Sequence, residues 1–194
     1  IPGHPADKVV KKREIAARHG LADDELLILF NGLLSYPPNL NALLAILDQI
    51  NPLLMAEAGF RYRIIVCGKG LPDSLNGLAA YKEKHIVYAG FVDDIESYFT
   101  AADLFLNPVQ SGGGIKTKMV EAIAYGATVI ATETGATGIK REVCGEKLKT
   151  VADNDWKAFA KAVIAQRNQR AVTPESYYDY YYWKNLARRI ADQL

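Results

Sequence analysis

The sequence is short of several residue types that define whole classes of protein. It holds only two cysteines, Cys67 and Cys144, in 194 residues, too few for a disulfide framework, so both are read as reduced thiols. Its three histidines, His4, His19 and His85, are scattered without ligand spacing, which offers a metal no donor set. No apolar run approaches the roughly eighteen residues of a membrane span, and no charged start leads into a signal-like apolar core. The expectation is a cytoplasmic chain without a transmembrane segment, with peripheral membrane contact of a full-length protein left open by the basic Lys8 to Arg18 stretch. An excess of either charge is missing too: 23 Lys plus Arg face 22 Asp plus Glu, for a net charge of +1. That leaves no broad basic field for a nucleic-acid backbone. The first residues, Ile1 to Pro5, contain no methionine, as expected of a piece cut from something longer.

What is present is enough for a core. Hydrophobic residues make up 49% of the chain and charged residues 23%, and the mean hydropathy is −0.05, the profile of a folded globular protein. Short apolar runs alternate with longer helix-like stretches, which is the pattern of a parallel sheet covered on both faces. Strands are predicted at Leu26 to Phe30, Tyr62 to Cys67, His85 to Tyr88, Leu104 to Asn107, Thr128 to Ala131 and Lys147 to Val151. Helices are predicted at Asn39 to Ile50, Pro52 to Ala58, Asp73 to Tyr81, Asp93 to Ala101, Ile115 to Tyr125 and Asp155 to Gln169, with Asn51 as a cap before Pro52 and Gly20, Gly59 and Gly126 closing helix ends. The fold class is therefore α/β, a Rossmann-like doubly wound parallel sheet of about six strands with helices on both faces. Its predicted parts are a linker and solvated basic helix over 1–20, the sheet domain over 21–172 and a helical segment over 173–194. Five of the eleven tyrosines fall within six positions, 177–182, read as a terminal helix on the sheet's flank, with Leu186 to Leu194 as an amphipathic continuation.

In such a sheet, ligands bind beyond the carboxyl ends of the strands. The loops there are Asn31 to Asn39, Gly68 to Asp73, Pro108 to Lys118 and Thr132 to Gly138. Gly68-Lys69-Gly70 fails as a dinucleotide loop, because its third glycine position is Asp73 and it follows the second strand. Ser111 to Lys118 fails as a triphosphatase loop, because Ile115 separates Gly114 from Lys116. Gly112 to Gly114 still suits an anion, since residues without Cβ let the backbone approach a ligand and lead toward a helix N-terminus. On that helix Lys118, Glu121 and Tyr125 share a face. A cation for phosphate and a carboxylate for hydroxyls one turn deeper suit a phosphorylated sugar.

These residues carry a resemblance. Val87 to Asp94, Tyr98 to Pro108, Gly112 to Ala122 and Gly126 to Thr132, with Phe30-Asn31-Gly32 and Ile65 to Gly70, resemble the C-terminal donor-binding domain of a GT-B glycosyltransferase of the family 4 type, over Ala22 to Asp155. The resemblance implies retaining transfer of a hexose from a nucleoside diphosphate sugar, without a metal or other cofactor. It places Glu121 on the donor ribose and makes Gly32, Gly113, Gly114, Lys116 and Lys118 the remaining donor-binding residues, with Lys118 the candidate stabiliser of the diphosphate and no general base singled out. Gly113 stands where many members carry a glutamate, and the family's basic residues after the first-strand glycine are replaced by Leu33-Leu34-Ser35. The implied partners are the nucleotide sugar and an N-terminal GT-B domain bearing the acceptor, in a polysaccharide-forming setting. Two other classes stay open: a nucleotide-sugar-binding module without transfer, and half of a non-hydrolysing UDP-sugar epimerase.

Overall fold

A computed structural model describes residues 5–22, 24–169 and 171–181. Its centre is a six-stranded sheet in the order β3-β2-β1-β4-β5-β6, built from Leu26–Asn31 (β1), Tyr62–Cys67 (β2), Ile86–Gly90 (β3), Leu104–Asn107 (β4), Thr128–Thr132 (β5) and Leu148–Val151 (β6). Every neighbouring pair is parallel. The chain first winds outward from β1 to β3, then returns to β1's other side and winds the opposite way. This is the order of a doubly wound Rossmann-like sheet, whose switch point lies between β1 and β4.

The continuous apolar strands divide their side chains between two layers, as the period of two requires. Ile28, Phe30, Ile64, Val66, Leu104 and Leu106 face a core closed by Pro37–Ala45 (α2), Asn51–Met55 (α3) and Trp156–Ala165 (α7). Leu27, Leu29, Ile65, Phe105, Val129 and Ala131 face the other core. That side is covered by Pro5–His19 (α1), Ile95–Ala101 (α4), Thr117–Ala124 (α5), Arg141–Cys144 (α6) and Glu175–Tyr181 (α8). Cys67 and Cys144 are free and buried, and burial pushes the Cys67 thiol up to about 12.

Four elements differ from the expectation. The basic helix α1 is packed, with Ile15 and Ala16 at 1% and 3% exposure. Its Lys12 pairs with Asp103 at 2.5 Å, and Asp103 in turn accepts the Leu27 amide at 2.9 Å. The break predicted at Asn51 is a continuous helix that widens into a π-helical turn over Ile46–Ile50, because Pro52 lacks an amide hydrogen and its ring crowds the preceding turn. Asn51 is no cap: it donates to the Lys84 carbonyl at 2.9 Å and accepts from the Tyr62 hydroxyl at 2.7 Å. The helix predicted from Asp73 is a pair of 3₁₀ turns over Asp73–Lys84, parted by left-handed backbone at Asn76, Gly77 and Leu78. The short α6 had no counterpart in the sequence pattern. Gly20, Gly59 and Gly126 do take positive φ, 64°, 70° and 90°. The Leu186 to Leu194 helix, with Tyr182 and Trp183, lies outside the described residues.

Candidate functional site

The carboxyl ends of β1 and β4 open onto a cleft of about 470 Å³ bordered by Gly32, Lys116, Lys118 and Glu121, with Lys69 and Phe91 on the β2 and β3 side. Its floor is backbone from the β1 and β2 loops, zipped together. The Gly32 amide donates to the Cys67 carbonyl at 3.1 Å and the Leu34 amide to the Lys69 carbonyl at 2.8 Å. A Cβ at Gly68 would lie 1.9 Å from the Gly32 carbonyl oxygen, so no other residue fits this approach.

Lys118 is the side chain that ties the two halves of the site together. From the first turn of α5 it crosses to β1, where its ammonium donates to the Asn31 carbonyl at 3.1 Å and to Asn39 Oδ1 at 2.9 Å. It also lies 5.3 Å from the Phe30 ring centre. Asn39 is held in turn by the Leu33 carbonyl at 3.1 Å. Burial, reinforced by the charge of Lys116, lowers the Lys118 ammonium to about 8. This is a desolvated cation at the switch point, a placement that makes an incoming anion electrostatically favourable.

Lys116 behaves differently. Its ammonium turns back onto the carbonyls of Gly112, Gly113 and Gly114 at 3.0, 3.1 and 3.1 Å. Positive φ at Gly112 and Gly114, 89° and 74°, makes that convergence possible. The triglycine run thus presents carbonyls inward to Lys116, and Gly113 and Gly114 do not border the cleft. Helix α5 also begins at Thr117 rather than Ile115, so the amides at the helix start belong to Thr117 and its successors. The sequence reading has the glycine run lead into the helix and counts Gly113 and Gly114 among the donor-binding residues; here the helix starts at Thr117 and the two glycines direct their carbonyls to Lys116.

Glu121 stands one turn along α5 at the cleft's border. Partial burial first, and then the charge of Glu96, raise its carboxyl above the usual range. Glu96 also accepts a hydrogen bond from Tyr125, whose hydroxyl is pushed up to about 12 by burial and by that bond. Asn39, Lys69 and Phe91 were not singled out by sequence; each follows a strand's carboxyl end, which is the one signal they carry. Phe91 is 67% exposed and, with Leu33, Tyr36 and Ile115, makes an apolar rim. A second cavity of about 270 Å³ lies at the opposite pole, by Asp103, Leu104 and Thr128. There Lys147 and Lys8 are engaged by carbonyls at helix ends, of Gly126 and of Thr100 and Ala102. Among the described residues no group of His, Cys, Asp or Glu could hold a metal ion, and no helix is long and apolar enough to cross a membrane.

The family profile of the glycosyl transferases group 1 matches residues 25–167, which include the whole cleft. The chain belongs to that family. One relative, described as an "Uncharacterized 44.6 kDa protein in cps region" of Klebsiella pneumoniae, is 27% identical over 147 residues, 71% of this chain and 36% of that protein. The fold is similar to that of WaaG, a glycosyltransferase involved in lipopolysaccharide biosynthesis, with a TM-score of 0.69 and 18% identity over 99% of this chain and 54% of that one. It is also similar to HepE of Anabaena in complex with UDP-glucose, with a TM-score of 0.66, 16% identity and coverage of 99% and 49%. The catalytic domain of starch synthase IV from Arabidopsis thaliana, bound to ADP and acarbose, gives a TM-score of 0.68 and 16% identity over 95% of this chain and 41% of that one. The group 1 chain therefore spans about half the length of these GT-B structures, and it supplies one Rossmann-like sheet.

Proposed function

We propose that this chain is the donor-binding half of a retaining hexosyltransferase and takes a nucleoside diphosphate sugar in the cleft between β1 and β4. The observation that carries the reading is Lys118, a buried ammonium at the switch point with Glu121 one turn away on the same helix. The family supports transfer of a glycosyl group, and relatives of the same fold are solved with UDP-glucose or ADP. As the bond from the anomeric carbon to the diphosphate breaks, negative charge gathers on the leaving oxygens. Lys118 and the first amides of α5 stabilise that charge in a site partly shielded from water. Lys116 exchanges its glycine carbonyls for a phosphate oxygen, and Glu121 accepts hydrogen bonds from the ribose hydroxyls. The acceptor and the groups that activate it belong to a facing N-terminal domain, so this chain alone binds donor and transfers nothing. No metal or other cofactor takes part in this reading.

Calorimetric titration with UDP, GDP, UDP-glucose and GDP-mannose tests the assignment. Lys118→Glu weakens the diphosphates by ten-fold or more, about the effect of a charge-assisted hydrogen bond, and leaves uridine and guanosine nearly unchanged. Equal weakening of nucleoside and diphosphate contradicts the role given to Lys118. One observation favours a second reading. Gly113 has no side chain to contact the sugar where many members carry a glutamate, as in a module that binds the nucleotide sugar without transferring it, although a Cβ there would meet nothing within 4 Å. Assays of sugar release by the intact protein separate the two.

A further inference from the structure

Helix α5 carries Lys118 in its first turn and Glu121 at mid-length, so its position along its own axis sets where both meet a ligand. It is only eight residues long, about 12 Å, and a helix that short is not stable by itself. Its far end is held by side chains. The last carbonyls of a helix lack intrahelical donors, and here the Tyr178 hydroxyl donates to the Ala124 carbonyl at 2.8 Å and that of Thr173 to Ile123 at 2.8 Å. The Tyr177 hydroxyl donates to Val120 at 2.7 Å, and Lys147 to Gly126, just past the helix, at 2.6 Å. Thr173 and Tyr177 are buried, at 7% and 1% exposure, whereas the Tyr178 side chain is half-buried beside the cavity at the opposite pole.

The same segment reaches the second wall behind the cleft. Tyr181 accepts the Lys140 amide at 2.9 Å, at the end of the loop that follows β5. Within that loop a Cβ on Gly138 would come within 2.8 Å of Ile115 Cγ1, and Ile115 borders the cleft. The tyrosine-rich segment thus braces from behind both the donor helix and the loop that backs the triglycine run. Apolar packing alone would hold a phenylalanine-rich segment as well; hydroxyls directed at helix-terminal carbonyls add a fixed direction and length.

We propose that Thr173, Tyr177 and Tyr178 are positioning residues for the diphosphate site, acting through the carboxyl end of α5. The role in binding rests on the donor-cleft reading above, whereas the mechanical coupling does not. The test uses Tyr178→Phe and Thr173→Val in the intact protein, each of which removes a hydroxyl and keeps the bulk of the ring or the branched side chain. In the ligand-free protein, amide hydrogen exchange at Met119, which donates to the Lys116 carbonyl at 2.8 Å, and at Glu121, the first amide of the helix with a carbonyl one turn back, accelerates by roughly five-fold, the equivalent of one lost hydrogen bond. UDP and GDP then bind several-fold more weakly, while uridine and guanosine, which meet only Glu121 on this helix, lose less. Faster exchange confined to 122–126 and 173–181, or equal weakening of nucleosides and diphosphates, overturns the proposal. If the unaltered protein binds no nucleoside diphosphate, the donor reading fails, and the exchange pattern at Met119 and Glu121 still decides the positioning role.

Discussion

At the scale of single residues, the chemistry turns on how Lys118 is charged. Its ammonium is lowered to about 8 by burial, so it is a cation below that pH and neutral above it. Diphosphate affinity is therefore expected to hold through neutral pH and to fall as the pH rises through about 8. Lys118→Arg keeps its charge throughout and is expected to remove that fall at some cost in affinity at neutral pH; titrations with UDP between pH 6.5 and 9.5 measure both. A profile that is flat in the unaltered protein contradicts the assignment. Lys118 and Glu121 were legible in the sequence because their spacing of three sets them on one helical face after a strand. Asn39 was not, since its partner Lys118 lies 79 positions away and nothing in local spacing announces a contact that the sheet order creates. Lys116 was legible as a basic residue, but its direction depends on the φ angles of Gly112 and Gly114, which composition does not reveal.

Among the elements, those with strong apolar pattern were the readable ones. All six strands lie within two residues of their expected bounds at either end, because a strand buried on both faces must be nearly continuous in Leu, Ile and Val. Helix α1 shows the opposite case. Its many Lys and Arg residues suggest a solvated face, while a narrow stripe through Ile15 and Ala16 is buried against α4 and the sheet, and Lys12 joins Asp103 under β1. Ile15→Ala is expected to destabilise the fold by about 2–4 kcal/mol, the usual cost of a large-to-small change in a core, read as a lower urea midpoint with an unchanged slope. A change below about 0.5 kcal/mol would restore the picture of a solvated appendage. Of the left-handed residues at 76–78, Asn76 and Gly77 are types that take such backbone readily, whereas Leu78 at φ 59° was not readable, because it is held there by its burial at 2% rather than by any preference of its own.

For the whole molecule, the strand order places a cleft at the carboxyl pole between β1 and β4, and a cavity lies at the opposite pole beside Thr128 and Lys147. The two differ in what their lysines do. At the carboxyl pole Lys118 crosses from one half of the sheet to the other and borders open space, whereas at the opposite pole Lys8 and Lys147 cap helix ends. The donor site is expected at the first of these. Backbone amide chemical shifts recorded during titration with UDP test it most directly. The shifts are expected to cluster at residues 31–34, 68–70 and 115–121, with those at 103–104, 126–128 and 147 staying in place. Perturbations gathered at the second group, with the first unmoved, would contradict it.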